Sequence, residues 1–125
     1  MAGNRPKFRF MDLEIWKDSM DLVDRLFELA DRLEERKLYR FADQLRGSSL
    51  SMSNNIAEGS GSDSKREFLN FLNIARRSTF ENANMVLVLE KRGFIDEVEA
   101  TELLRTLDHL CRKITNFQKT LRDHD

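Results

Sequence analysis

Proline occurs once in the 125 residues, cysteine once and glycine five times, and the aromatic residues make up only 9%. A sheet protein turns every few residues, usually on glycine or proline, so this scarcity of breakers excludes a many-stranded fold and favours long helices. The single thiol, Cys111, can close no intrachain disulfide and cannot build a cysteine-based zinc site, which fits a reducing compartment. Charge of one sign is not in excess either. With 21 Lys and Arg against 22 Asp and Glu, the chain as a whole lacks the positive excess of a dedicated nucleic-acid binder. No apolar run approaches the roughly 18 residues of a membrane span, and the first ten residues lack the apolar stretch of a secretion signal. A soluble, cytoplasmic protein of one domain is expected.

What the chain does contain is helical periodicity, in four segments at about 12–36, 38–58, 64–92 and 97–122. A basic leader, residues 1–11, precedes them and is expected to be partly flexible, leaving 12–122 as the folded unit. In the first segment, with Asp12 as its candidate cap, Trp16, Met20, Val23, Phe27 and Ala30 recur at steps of four and three. Beside them run Ile15, Leu22, Leu26, Leu29 and Leu33, a stripe so wide that the helix should have two sets of partners. The second segment presents Leu38, Phe41, Leu45, Ser48, Met52 and Asn55, with Gly59 and Gly61 marking its end. The third opens on Ser64 and Glu67 in capping-box spacing and shows Phe68, Leu72, Ala75, Thr79, Asn82, Val86 and Leu89, with Phe71, Ile74, Phe80, Ala83 and Leu87 spreading around that stripe. Gly93 should end it. Asp96 and Glu99 repeat the capping spacing, and Leu103, Leu107, Leu110, Ile114, Phe117 and Leu121 follow in register.

Antiparallel neighbours joined by short loops should pair positions symmetrically about the loop. That rule sets Leu72 opposite Phe117, Asn82 opposite Leu107 and Val86 opposite Leu103. It also sets Ser48 opposite Ala75, Met52 opposite Phe71, and Val23 opposite Met52. An all-α, up-down-up-down four-helix bundle follows.

Chemistry is harder to find. Neither His109 nor His124 pairs with a carboxylate at a metal-ligand spacing, so no metal is expected. Arg105 and His109 stand too close in sequence for the arginine–histidine pair of HEPN-type four-helix RNases. Cys111 adjoins the core stripe of the fourth segment and has no base beside it, so it reads as a packing residue. No catalytic residue, no cofactor and no enzymatic activity are expected. The most unusual stretch is Ser48 to Gly61, where serines and asparagines replace the leucines and phenylalanines of the other segments. Ser48 against Ala75 suggests close helix approach, the hydroxyls bonding back to carbonyls one turn earlier. Glu58, an acid in the last turn of its helix, opposes the macrodipole and needs compensation. Lys65 is the cross-helix candidate, with Asn54 or Asn55 completing a polar cluster that would be either a structural clamp or a ligand site.

The run Asn55-Ile56-Ala57-Glu58-Gly59, followed by Gly61, Ser64, Glu67-Phe68, Phe71-Leu72, Ile74-Ala75, Ser78 and Glu81, resembles the bacterial four-helix bundle family first noticed as reading frames inside intervening sequences of 23S ribosomal RNA genes. Phe10, Leu13, Trp16, Gln44-Leu45-Arg46 and Ser51 match as well. Ser53, Ser62 and Arg77 depart from the family, which commonly carries proline, a basic residue and a small residue there. The resemblance implies a left-handed bundle that assembles into a ring-like homo-oligomer, typically a pentamer. It singles out Ser51, Asn55, Glu58, Gly59, Ser78 and Glu81 as a polar motif. It also implies that relatives accompanying the reverse transcriptases of diversity-generating retroelements bind nucleic acid and the polymerase.

Charge by segment bears on that last point. Residues 12–37 hold nine acidic against five basic residues, whereas 63–92 hold six basic against four acidic. Candidate nucleic-acid contacts are Arg5, Lys7 and Arg9 in the leader, interleaved with Phe8 and Phe10, and the pairs Lys65-Arg66, Arg76-Arg77 and Lys91-Arg92. The expectation is a non-enzymatic, homo-oligomeric interaction or assembly module that contacts no membrane. The alternative is a nucleic-acid-binding accessory factor that touches RNA or DNA and a protein partner such as a reverse transcriptase.

Overall fold

The computed structural model describes residues 2–124. Four helices, α1 (Glu14–Glu35), α2 (Tyr39–Ser60), α3 (Lys65–Lys91) and α4 (Glu97–Asp123), run up and down around one core, and no strand occurs among the described residues. Each helix touches its chain neighbours, and α1 meets α4 to close the square, while the diagonal pairs stay apart. Leu22, Leu26, Leu45, Met52, Ile56, Leu72, Leu89, Leu107 and Ile114 fill the centre, each essentially without solvent exposure. At roughly 1.5–3 kcal/mol per fully buried aliphatic side chain, this core is the main term favouring the fold.

The first turn of α3 is capped by Ser64, whose Oγ accepts from the Glu67 amide at 3.0 Å, and that of α4 by Asp96, whose Oδ1 accepts from the Glu99 amide at 2.8 Å. At the start of α1 the expectation is corrected. Asp12 falls in a short 3-10 turn, Arg9–Asp12, and pairs with Lys7 at 2.8 Å, so Leu13 is the cap and its side chain accepts no bond from the first-turn amides. This turn packs back on α1 and α2, with Phe10 edge-on to Trp16 at 5.0 Å between centroids, so the C-terminal half of the leader belongs to the bundle.

Two helix ends share one device. After α3, Gly93 at φ 79° lets its own amide reach the Glu90 carbonyl and the Phe94 amide reach that of Leu89. After α1, Lys37 adopts the same left-handed conformation at φ 67°, its amide reaching Glu34 and that of Leu38 reaching Leu33. Gly59 lies inside α2, which runs on to Ser60, and its role is not to end the helix. A Cβ there would stand 2.8 Å from both Phe71 Cβ and Phe68 Cδ1, so glycine is what lets α3 come this close.

The wide apolar stripe of α1 is absorbed within the monomer. Leu22, Leu26, Leu29 and Leu33 are buried, and a helix at the corner of a square bundle has two neighbours to face. Only Met20 stands exposed, with Trp16 and Phe27 half-buried along the α2 side.

On the α4 side the contact between α1 and α4 is sparser, and polar groups join the two. Lys113 Nζ donates to Asp18 at 2.6 Å and to Glu14, Arg25 donates to Thr106 at 3.0 Å, and Arg32 grips Glu99 with two bonds of 2.7 and 2.8 Å. These three rungs are seven residues apart on both helices and fix their relative height. The two donors to carboxylates are held charged: hydrogen bonds from Asp18 and then Glu14 raise the Lys113 pKa, and Glu99 raises that of Arg32.

Candidate functional site

The serine-rich stretch of α2 forms a polar seam with α3, and Asn82 is its hub. Asn82 is fully buried, and its Nδ2 donates to the carbonyls of Ser48 at 2.9 Å and Ser78 at 2.7 Å while its Oδ1 lies 3.0 Å from the Ser48 hydroxyl that donates to it. A second chain of bonds runs alongside. Asn55 Nδ2 donates to the Ser51 hydroxyl at 3.1 Å, that hydroxyl pairs with Ser78 at 2.8 Å, and Ser78 donates to the Ile74 carbonyl at 2.9 Å. The remaining buried serines of α2 bond back along their own helix, Ser49 to Arg46, Ser53 to Leu50 and Ser60 to Ala57. Among the described residues no buried side-chain polar atom lacks a partner. The seam therefore aligns two helices, and its buried polar atoms are already partnered.

This seam corrects the register expected between α2 and α3. Ser48 faces Asn82 and Met85 instead of Ala75, and Ser51 faces Ser78. The shift is seven residues, two helical turns, which leaves every apolar stripe on the same face and so costs the core pattern nothing. The loop 61–64 lets α3 start beyond the end of α2 before turning alongside it.

Of the polar motif, Ser51, Asn55 and Ser78 come together in the seam, and Gly59 lies at its end beneath Phe68 and Phe71. Glu58 and Glu81 are exposed and take no part in it. The expected Glu58–Lys65 pair does not form: Lys65 reaches the His124 carbonyl at the end of α4. Asn82, counted in the sequence only as one more stripe position, is the residue that pattern reading missed. Its signal was a carboxamide at a core position facing a helix rich in serine.

The basic candidates are dispersed. Lys7, paired to Asp12, and Lys65 and Arg66 lie at the end of the bundle where α1 and α3 begin; Lys91 and Arg92 lie at the opposite end, about 39 Å away at 1.5 Å per residue of α3. Arg76 is midway, its guanidinium 5.7 Å from the centre of the Phe80 ring, with Arg77 beside it. Arg5 and Arg9 are exposed next to Phe8, whose ring lies 5.9 Å from that of Phe10.

What the surface does gather is apolar. On α3, Ile74, Phe80, Leu87 and Val88 are all exposed, and between α3 and α4 the Phe80 ring borders an open groove with Thr79, Ala83, Leu104, Leu107 and Cys111. Seen with the helix order and the α2–α3 motif, the comparison with known proteins is direct, because residues 11–116 match the family described as 23S rRNA-intervening sequence protein. The chain belongs to that family. No curated protein matches it significantly. In fold this family member is similar to the crystal structure of a protein of unknown function from the S23 ribosomal protein family of Bacteroides thetaiotaomicron, with a TM-score of 0.80 and 22% identity over 84% of this chain and 98% of that one. An identity so low carries the fold alone.

Among the described residues no helix is long and apolar enough to cross a membrane.

Proposed function

We propose that this family member is a non-catalytic module that assembles with copies of itself, in a ring such as the family resemblance implies. The observation that carries the reading is the outer surface of α3, where Phe80 is 62% exposed, Leu87 48% and Ile74 43%, on a helix whose inner face is already fully packed. Phe80 and Leu87, seven residues apart on the α4 side of the helix, form a patch of the kind that marks an interaction surface, and Ile74 and Val88 add exposed apolar area on its other side. The non-catalytic part is supported by the polar seam, whose serines and asparagines are occupied in holding α2 to α3. The accessory-factor reading draws less support from a single copy, because its basic residues are split among both ends and the middle of α3.

Light scattering on the purified full chain tests the reading. A mass several times 14.7 kDa at micromolar concentration is expected, and a monomeric mass refutes self-assembly.

A further inference from the structure

Phe10 sits a layer outside the bundle. Leu13 and Trp16 pack against the buried core, whereas Phe10 meets Trp16 edge-on at 5.0 Å and is itself only half-buried. The 3-10 turn that carries it, Arg9–Asp12, rests on both α1 and α2 without burying any of its residues. The polar bonds of this segment close within it. The Met11 amide donates to the Phe8 carbonyl at 3.0 Å and the Phe8 amide to Met11 Sδ at 3.2 Å, while Lys7 pairs with Asp12. Among the described residues no hydrogen bond or ion pair joins residues 5–12 to any of the four helices.

Leu13 is the joint between turn and helix. Its amide belongs to the turn, donating to the Phe10 carbonyl at 3.0 Å, and its carbonyl belongs to α1, accepting from the Trp16 and Lys17 amides at 3.1 Å. Between those groups lies the soft dihedral φ, which stands at −74°, near one end of the extended range of about −60 to −160°. Rotation there lifts the turn with both sets of hydrogen bonds intact, and only apolar contacts are given up.

Beneath the turn lies the start of an apolar strip. Trp16, Met20 and Phe27 follow one another along the α2 side of α1, Met20 41% exposed and the other two half-buried. With the turn in place, Phe10 covers Trp16 and leaves Met20 by itself in solvent. With the turn lifted, Trp16 and Met20, four residues apart on one helix face, form one continuous apolar surface.

We propose that residues 8–12 are a hinged strap, closed in this structure, that masks the Trp16 end of the strip and uncovers it by rotation at Leu13. A closed strap withdraws that surface from any partner, and an open one presents it. The device works within one copy and does not depend on self-assembly.

Trp16 is the only tryptophan, so its emission reads the strap directly. In the unaltered chain, Trp16 emission should shift to the red and its acrylamide quenching should rise on warming before the helix signal in circular dichroism is lost. Phe10→Ala removes the ring that shields Trp16. Quenching at room temperature should at least double in this variant and 8-anilinonaphthalene-1-sulfonate should bind more brightly, while the dichroism midpoint moves by no more than a few degrees. A single coincident transition in the unaltered chain overturns the hinge, since the turn then leaves only when the bundle unfolds. Unchanged quenching in Phe10→Ala overturns the masking. A midpoint fall of about 10 °C or more, the size expected of a core truncation, makes Phe10 part of the core and overturns the strap.

Discussion

Asn82 offers the sharpest test of how α2 and α3 are held. Asn82→Ala deletes three hydrogen bonds, two donated to the Ser48 and Ser78 carbonyls and one accepted from the Ser48 hydroxyl. At a net value of about 1 kcal/mol each, the loss is about 3 kcal/mol. The carbonyls keep their helical partners and the Ser48 hydroxyl keeps the Leu45 carbonyl at 3.2 Å, so no group is stranded and the larger penalty for orphaned polar atoms does not apply. Vacated volume adds about 1 kcal/mol, and the better helix propensity of alanine returns about 0.5. The expected loss is thus about 3.5 kcal/mol, read as a fall in melting temperature of roughly 13 °C and a matching shift in the urea midpoint. Asn82→Asp should be worse at neutral pH. A carboxylate there has no proton to offer the two carbonyls, and burial raises its pKa above the unfolded value of about 3.9. Between those two values the native state binds more protons than the unfolded one, so the stability of this variant falls as pH rises from about 4. A loss under about 1 kcal/mol for Asn82→Ala, or no added pH dependence for Asn82→Asp, would refute the seam as the element that sets register.

Lys37 pays for a left-handed conformation that glycine adopts freely, so Lys37→Gly should stabilise the chain by about 0.5–1 kcal/mol in urea unfolding; an unchanged or lower midpoint contradicts the strain argument. Lys113 is held charged by Asp18 and Glu14, so its folded pKa lies above the ordinary lysine value of about 10.4. Its contribution is complete below that value and disappears as pH rises through the folded pKa. The melting temperatures of Lys113→Met and the unaltered chain should therefore converge at the alkaline end of a pH series, and a gap that stays constant to pH 12 counts against the pairing.

Helix periodicity made the all-α class and the four antiparallel helices legible, because each stripe is long and two of the three loops carry a capping side chain and a glycine. The capping pairs Ser64–Glu67 and Asp96–Glu99 are visible in sequence for a local reason: donor and acceptor are three residues apart and need no tertiary context. The α2–α3 register was not legible. A shift by seven residues returns every side chain to the same face, so an apolar pattern cannot distinguish Ser48 against Ala75 from Ser48 against Asn82. Only a directional interaction can, and the seam supplies it through a carboxamide whose donors and acceptor each find a partner at one register. The Glu58–Lys65 pair failed for the same reason, since its expected geometry was built on the wrong register.

The surface was harder still, and α1 and α3 show why. Both have apolar stripes wider than one neighbour needs, and in sequence the two look alike. On α1 the excess is absorbed, because its second stripe faces α4 and Leu22, Leu26, Leu29 and Leu33 disappear into the core. On α3 the neighbours cover Leu72, Ala75, Val86 and Leu89, and the excess lies beyond them, on Phe80 and Leu87 toward α4 and on Ile74 toward α2. Stripe width therefore reports how much apolar surface a helix carries, and only the angular position of its neighbours decides whether that surface is core or interface. The wide stripe of α1 was a fair reason to expect a second set of partners, but the partner is its own chain. The apolar excess left in solvent belongs to α3, whereas on α1 Met20 alone of its two stripes remains exposed.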